Sequence, residues 1–157
     1  MDEEATGPAQ RPVRILFVCT ANRCRSPAAE HLAARRVGED RALFRSAGFL
    51  DGGRPCPPGL VGALAERGVA VGTHRSHRLD NDTLDAAELV LTMEGAHVQE
   101  VVTTHRPAYA RTFPLREAAA ARIQPVVRGR LARRRGGDDC GGGCCGCSGL
   151  FSGRSEE

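Results

Sequence analysis

"RILFVCTANRCRSPAAEHLAARR", residues 14–36, decides how this chain folds. With Val13 it opens on a short apolar run rich in Val, Ile, Leu and Phe, the composition of a strand buried on both faces of a parallel sheet. The other end reads as a helix. Ser26 suits an N-cap, Pro27 the first helical position, and Ala29, Leu32, Ala33 and Val37 recur at helical spacing up to Gly38, a natural stop. Between the two lies a turn holding two cysteines, an asparagine and two arginines. Such a turn is an awkward connection unless an anion sits in it.

Outward from this unit the pattern repeats. "ALFRSAG" reads as a second strand ending at Gly48, and "PPGLVGALAERGV" as a helix opened by proline and closed by Gly68. "AELVLTM" is a third strand, "EGAHVQEVVTTH" a third helix, "YARTFPL" a last strand and "REAAAARI" a fourth helix. The alternation predicts an α/β fold: one three-layer domain, a four-stranded parallel sheet flanked by helices. Ligands of such sheets bind beyond the carboxyl ends of the strands, where the opening turn lies.

Composition sets the limits. A chain of 157 residues suits one domain. We divide it into a flexible N-terminus over 1–12, a folded domain over 13–123 and an Arg/Gly/Cys-rich tail over 124–157. The tail lacks sustained apolar periodicity, cannot offset its ordering entropy, and is expected to be disordered. Every basic residue is Arg, so a Walker-type phosphate loop, which needs Lys, is excluded. A net charge of +3 gives no case for nucleic acid. No apolar run approaches the ~20 residues of a membrane span, and "MDEEATGPAQRP" is no secretory leader, so the chain reads as soluble and cytoplasmic, with no membrane partner. The seven cysteines do not staple a core, because Cys140, Cys144, Cys145 and Cys147 crowd into the tail.

Five residues separate Cys19 from Arg25. In a loop of that size the backbone N–H groups of Thr20, Ala21, Asn22, Arg23, Cys24, Arg25 and Ser26 can point inward, and the helix behind them adds the positive end of its dipole. Arg25 supplies a planar fork for two oxygens of a phosphoryl group. The same field favours the anionic form of a thiol pointing into it, so Cys19 is expected to act as a thiolate nucleophile, with Ser26 donating to its sulfur and Asn22 holding the loop's backbone.

"VCTANRCRSPAAE" resembles the low-molecular-weight protein tyrosine phosphatase family, marked by C-x5-R-S-P directly after the first strand. The similarity continues through "SAG" (46–48), "HRSHRL" (74–79) and "LVLTMEGAHV" (89–98), covering roughly residues 13–117. It implies a metal- and cofactor-free hydrolase acting on phosphotyrosine proteins or small aryl phosphates through a phosphocysteine intermediate. Cys19 would be the nucleophile, Arg25 the phosphate clamp, and Cys24 the second loop cysteine, able to form a protective disulfide with Cys19.

Departures from that pattern shape the expectation. The family completes its site with Asp-Pro in a C-terminal loop and a last helix, and this sequence contains no Asp-Pro. That Asp protonates a phenolate leaving group, an effect worth typically ~10²–10⁴-fold. Asp138 and Asp139 fall near the expected region but without the proline or helix, so turnover is expected to suffer and the last helix to be missing. The tail cysteines, C-x3-C-C-x-C, offer soft metal ligands, but in a spacing that matches no paired knuckle. His77 stands where the family's loop carries Arg, and it and His74 are expected to position that loop. His31 and His97 read as surface or satisfied core residues on helices. Tyr109 is the only tyrosine, so the family's aromatic walls are poorly represented. Two alternatives stand beside the phosphatase: an arsenate reductase on the same fold, weakened by the lack of cysteine just after Leu79, and a weakly catalytic phosphate or phosphoprotein-binding module.

Overall fold

The structure, a computed structural model, describes residues 11–121. Its sheet has four parallel strands in the order β2-β1-β3-β4, with β1 Val13–Cys19, β2 Ala42–Gly48, β3 Leu89–Thr92 and β4 Thr112–Pro114. The predicted fold class holds. β1 pairs with β2 from Val13↔Ala42 to Cys19↔Gly48 and with β3 from Ile15↔Leu89 to Val18↔Thr92. A strand between two neighbours must be apolar on both faces, and Leu16, Phe17, Val18 and Cys19 are all buried. The chain runs from β1 outward to β2, then returns to β3 on the other side, so the topological switch lies at β1.

Helices cover both faces. On one, Leu16, Val18, Ala47 and Val90 pack with Leu84 of α3 (Asn81–Ala86) and Val101 of α4 (Gly95–Thr104). On the other lies α1, Arg25–Val37, whose Ala28 and Leu32 pack against α2 (Pro58–Ala65) and the Val69–Val71 segment after it. A short α5, Leu115–Ala120, follows β4 directly.

Several boundaries differ from the sequence reading. α1 begins at Arg25 with Cys24 in the capping position and no side-chain cap; Ser26 is buried inside the first turn with its hydroxyl turned back to the loop. Gly38 ends α1 at φ +84, a left-handed backbone that favours glycine. The last strand is three residues long, because Tyr109, Ala110 and Arg111 belong to a 3-10 turn over Arg106–Arg111. α3 was not predicted. It is six residues without amphipathic period, and its signal is Asp80, whose carboxylate accepts from the Thr83 N–H at 2.8 Å. Among the described residues no helix is long and apolar enough to cross a membrane. The tail 124–157, with Asp138, Asp139 and its cysteines, and the expected missing last helix lie outside the described residues.

Candidate active site

The loop from Thr20 to Cys24 leaves the carboxyl end of β1 and closes on the first turn of α1. At its base the Cys19 sulfur, buried, accepts from the Asn22 N–H at 3.2 Å and faces the Ser26 hydroxyl at 3.0 Å. The Asn22 N–H donates to the sulfur from one side, and a hydroxyl that can donate or accept faces it from another.

Asn22 organises the turn. It is the only non-glycine residue with positive φ among those described, at +49, and it is fully buried. Its side-chain NH₂ donates to Ser26 Oγ at 2.9 Å and to Ser46 Oγ at 2.8 Å, while its Oδ1 accepts from the His77 N–H at 2.7 Å. The Ser46 hydroxyl in turn donates a hydrogen bond to the Glu30 carboxylate of α1. Leaving any of these buried groups unpaired would cost about 1–3 kcal/mol, so the left-handed conformation is held by its partners. Contacts from outside hold the loop as well. Thr20 O accepts from the Phe49 and Leu50 N–H groups at 2.7 and 3.1 Å, Asn22 O meets His74 Nε2 at 3.0 Å, and Arg23 Nε donates to Pro55 O at 3.0 Å.

Gly48, opposite Cys19 in β2, has no room for a side chain: a Cβ there would lie 2.6 Å from Asn22 N and 2.8 Å from Thr20 O. The "SAG" stretch therefore carries two parts of the site, Ser46 as a partner of Asn22 and Gly48 as clearance.

Arg25 lies at the mouth, half exposed, with its guanidinium paired to Glu94 at the start of α4. The Glu94 hydrogen bond raises the Arg25 pKa against the cost of burial, and the same contact holds the Glu94 carboxyl below its ordinary value. Glu94 went unrecognised in the sequence although it lies in "LVLTMEGAHV"; no local pattern announces a pairing across 69 positions. His97 is likewise more than a satisfied core residue. It is buried, its Nε2 meets Thr20 Oγ1 at 3.0 Å, its ring packs on Phe49 with centroids 5.5 Å apart, and its Nδ1 has no partner. His74 and His77 contact Asn22, the arrangement expected of loop-positioning residues.

Thr20, Ala21, Asn22, Arg23, Cys24, Arg25 and Ser26 form the turn after Cys19 and the start of α1; of these Asn22 N and Ser26 Oγ contact the sulfur, Cys24 is exposed and both loop thiols are free. Tyr109 does not reach this region. It lies three residues before the start of β4, at the amino end of the sheet, whereas the loop crowns the carboxyl end.

A buried sulfur in the turn at the switch point of a 2-1-3-4 parallel sheet defines the class: an α/β protein with a cysteine where such sheets bind their ligands. The model of the low molecular weight phosphotyrosine protein phosphatase family matches residues 14–121, and the chain belongs to that family. A probable low molecular weight protein-tyrosine-phosphatase, EpsP, of Ralstonia nicotianae is 33% identical over 74% of this chain and 80% of its own. A protein-arginine-phosphatase of Bacillus subtilis is 36% identical over 66% and 70%. Among solved structures, the YwlE arginine phosphatase from Geobacillus stearothermophilus superposes with a TM-score of 0.64 at 32% identity, over 81% of this chain and 79% of the other.

Proposed function

We propose that this hydrolase dephosphorylates phosphoproteins or small aryl phosphates, including phosphotyrosine, with Cys19 as nucleophile. The thiolate attacks phosphorus in line with the ester bond; an S–P bond forms, the P–O bond breaks, and the leaving oxygen departs with the bonding pair. Water then attacks the phosphocysteine, giving inorganic phosphate and restoring the thiolate. The amides of residues 20–26 and the Arg25 fork would hold the equatorial oxygens as charge redistributes, and Arg25 must exchange Glu94 for the substrate to do so. The chemistry needs no metal or cofactor. A nucleophilic thiol of this kind suits the reducing cytoplasm.

The observation that carries the reading is the buried Cys19 sulfur held between the Asn22 N–H, which donates to it at 3.2 Å, and the Ser26 hydroxyl at 3.0 Å. Relatives named for tyrosine and for arginine dephosphorylation share one substrate class, a phosphorylated protein. A related structure is described as an arginine phosphatase variant with a phosphorylated active-site serine, which supports phosphoryl transfer to that position of the loop. Arsenate reductases of Bacillus subtilis and its relatives match only about half of this chain, 52% in that case.

Replacing Cys19 by Ser is the test. Hydrolysis of p-nitrophenyl phosphate should fall by roughly 10³-fold or more, with vanadate or tungstate binding retained. Turnover unchanged by Cys19→Ser, or arsenate reduction outpacing ester hydrolysis, would overturn the assignment.

A further inference from the structure

On the side of the loop away from Cys19, Glu30 and His31 of α1 and His74 of the 71–79 segment bring one carboxylate oxygen and two imidazole nitrogens within 4.8 Å of one another. We propose that these three side chains form a Zn²⁺ site, distinct from the catalytic thiol, that ties α1 to the segment holding Asn22.

Each of Glu30 and His74 spends one polar atom on an ordinary partner, Ser46 and Asn22 in turn, and keeps one free. No ion pair or hydrogen bond joins Glu30 to either histidine among the described residues, and the rings of His31 and His74 meet edge-on at 6.1 Å without a bond. The three free donor atoms thus lie close together without bonding one another. A tetrahedral centre with bonds of about 2.0–2.2 Å places its donors roughly 3.4 Å apart, so side-chain rotation of about an ångström closes this set on one ion. Two imidazoles and a carboxylate, with a fourth position open to water, is a ligand set Zn²⁺ accepts.

The second layer is already in place. His74 Nε2 lies 3.0 Å from Asn22 O, a carbonyl that can only accept, so the ring proton sits on Nε2 and the Nδ1 lone pair is left for a metal. Glu30 Oε2 accepts from the Ser46 hydroxyl, which fixes the carboxylate and leaves Oε1 free. A histidine donating to a backbone carbonyl and a carboxylate held by a hydroxyl are the outer contacts that orient metal ligands. Glu30 and His74 line a cavity of about 680 Å³ bordered by Leu43 and Arg45 of β2, and Glu30 and His31 a second of about 300 Å³. Because Ser46 and the Asn22 carbonyl belong to the network of the catalytic turn, an ion bound here would brace that turn from behind.

Thiols elsewhere in the chain also take zinc, so the test uses the full chain with Cys19, Cys24, Cys140, Cys144, Cys145 and Cys147 each replaced by Ser, Cys56 being kept because its thiol is buried. Zn²⁺ alone is titrated against a chromophoric chelator, and thermal unfolding is followed with and without it. One equivalent should bind and raise Tm. His31→Ala, on a helix surface and bonded to nothing in the turn, should leave the metal-free Tm unchanged while weakening Zn²⁺ binding by ~100-fold or more, beyond what loss of an outer-layer partner costs. Co²⁺ in the same site should show a weak ligand-field band without thiolate charge transfer. Zn²⁺ binding that is absent from the parent chain, or undiminished by His31→Ala, overturns the proposal. Since the parent lacks Cys19, neither result depends on phosphatase activity.

Discussion

Asn22 and Glu94 have opposite effects on the catalytic turn. Asn22 holds the loop from within, whereas Glu94 holds Arg25 from outside, and in the proposed mechanism Arg25 leaves Glu94 to meet a phosphoryl group. We expect Glu94→Gln to bind vanadate several-fold more tightly than wild type, because the guanidinium no longer has a competing anion. The carboxyl's pKa is lowered by Arg25, so it stays ionised well into acid, and the difference between the two proteins should persist from about pH 7 to pH 5. In stability terms the ion pair contributes above the unfolded carboxyl value and is lost as pH falls through the lowered folded one. Inhibition constants at both pH values decide the matter; weaker binding by Glu94→Gln would mean that Glu94 delivers Arg25 to the anion instead of withholding it.

Two elements invite substitutions whose consequences follow from geometry. Gly48→Ala would push a methyl group into backbone atoms 2.6–2.9 Å away in the loop. Neither the strand nor the loop can yield cheaply, so a loss of about 1–3 kcal/mol is expected, together with a weakened affinity for oxyanions; chemical denaturation and tungstate binding measure both. At α3, Asp80 caps the helix through Thr83, and those hydrogen bonds lower its pKa. Its contribution is present above about pH 4, the unfolded value, and disappears as pH falls through the lowered folded one. Asp80→Ala should cost roughly 0.5–2 kcal/mol at neutral pH. Asp80→Asn should cost less and flatten the acid limb of the stability profile, as thermal unfolding across pH would record.

The same elements show what the sequence could reveal. β1, the loop and α1 were legible because buried strands are continuously apolar and because Cys19, Asn22, Arg25 and Ser26 lie within eight positions of one another. The pairings that complete the site were not. Ser46 to Glu30, Arg25 to Glu94 and Thr20 to His97 join residues far apart in the chain, and each of these side chains alone reads as surface or core. The start of α1 was misplaced because Ser26 has the chemistry of a cap but spends its hydroxyl on the sulfur. α3 escaped because six residues are too few to display a period.

For the whole molecule, the consequence concerns the leaving group. The mechanism proposed above stabilises attack on phosphorus without protonating the departing oxygen, and the sequence lacks the Asp-Pro pair that the family resemblance assigns to that step. Rates across a series of aryl phosphates should therefore fall steeply as the phenol's pKa rises toward about 10. A flat dependence would show that some other group, such as Asp138 or Asp139, supplies the proton.

The central claim is that the Cys19 sulfur becomes covalently phosphorylated during turnover. Rapid acid quenching with a good aryl phosphate, followed by mass spectrometry of the peptide carrying residues 14–36, measures this directly. The account predicts one phosphoryl group on that peptide, located at Cys19, appearing with the first burst of phenol and decaying as phosphate is released. A burst of phenol with no label on the peptide, or a label on any other residue, would contradict it.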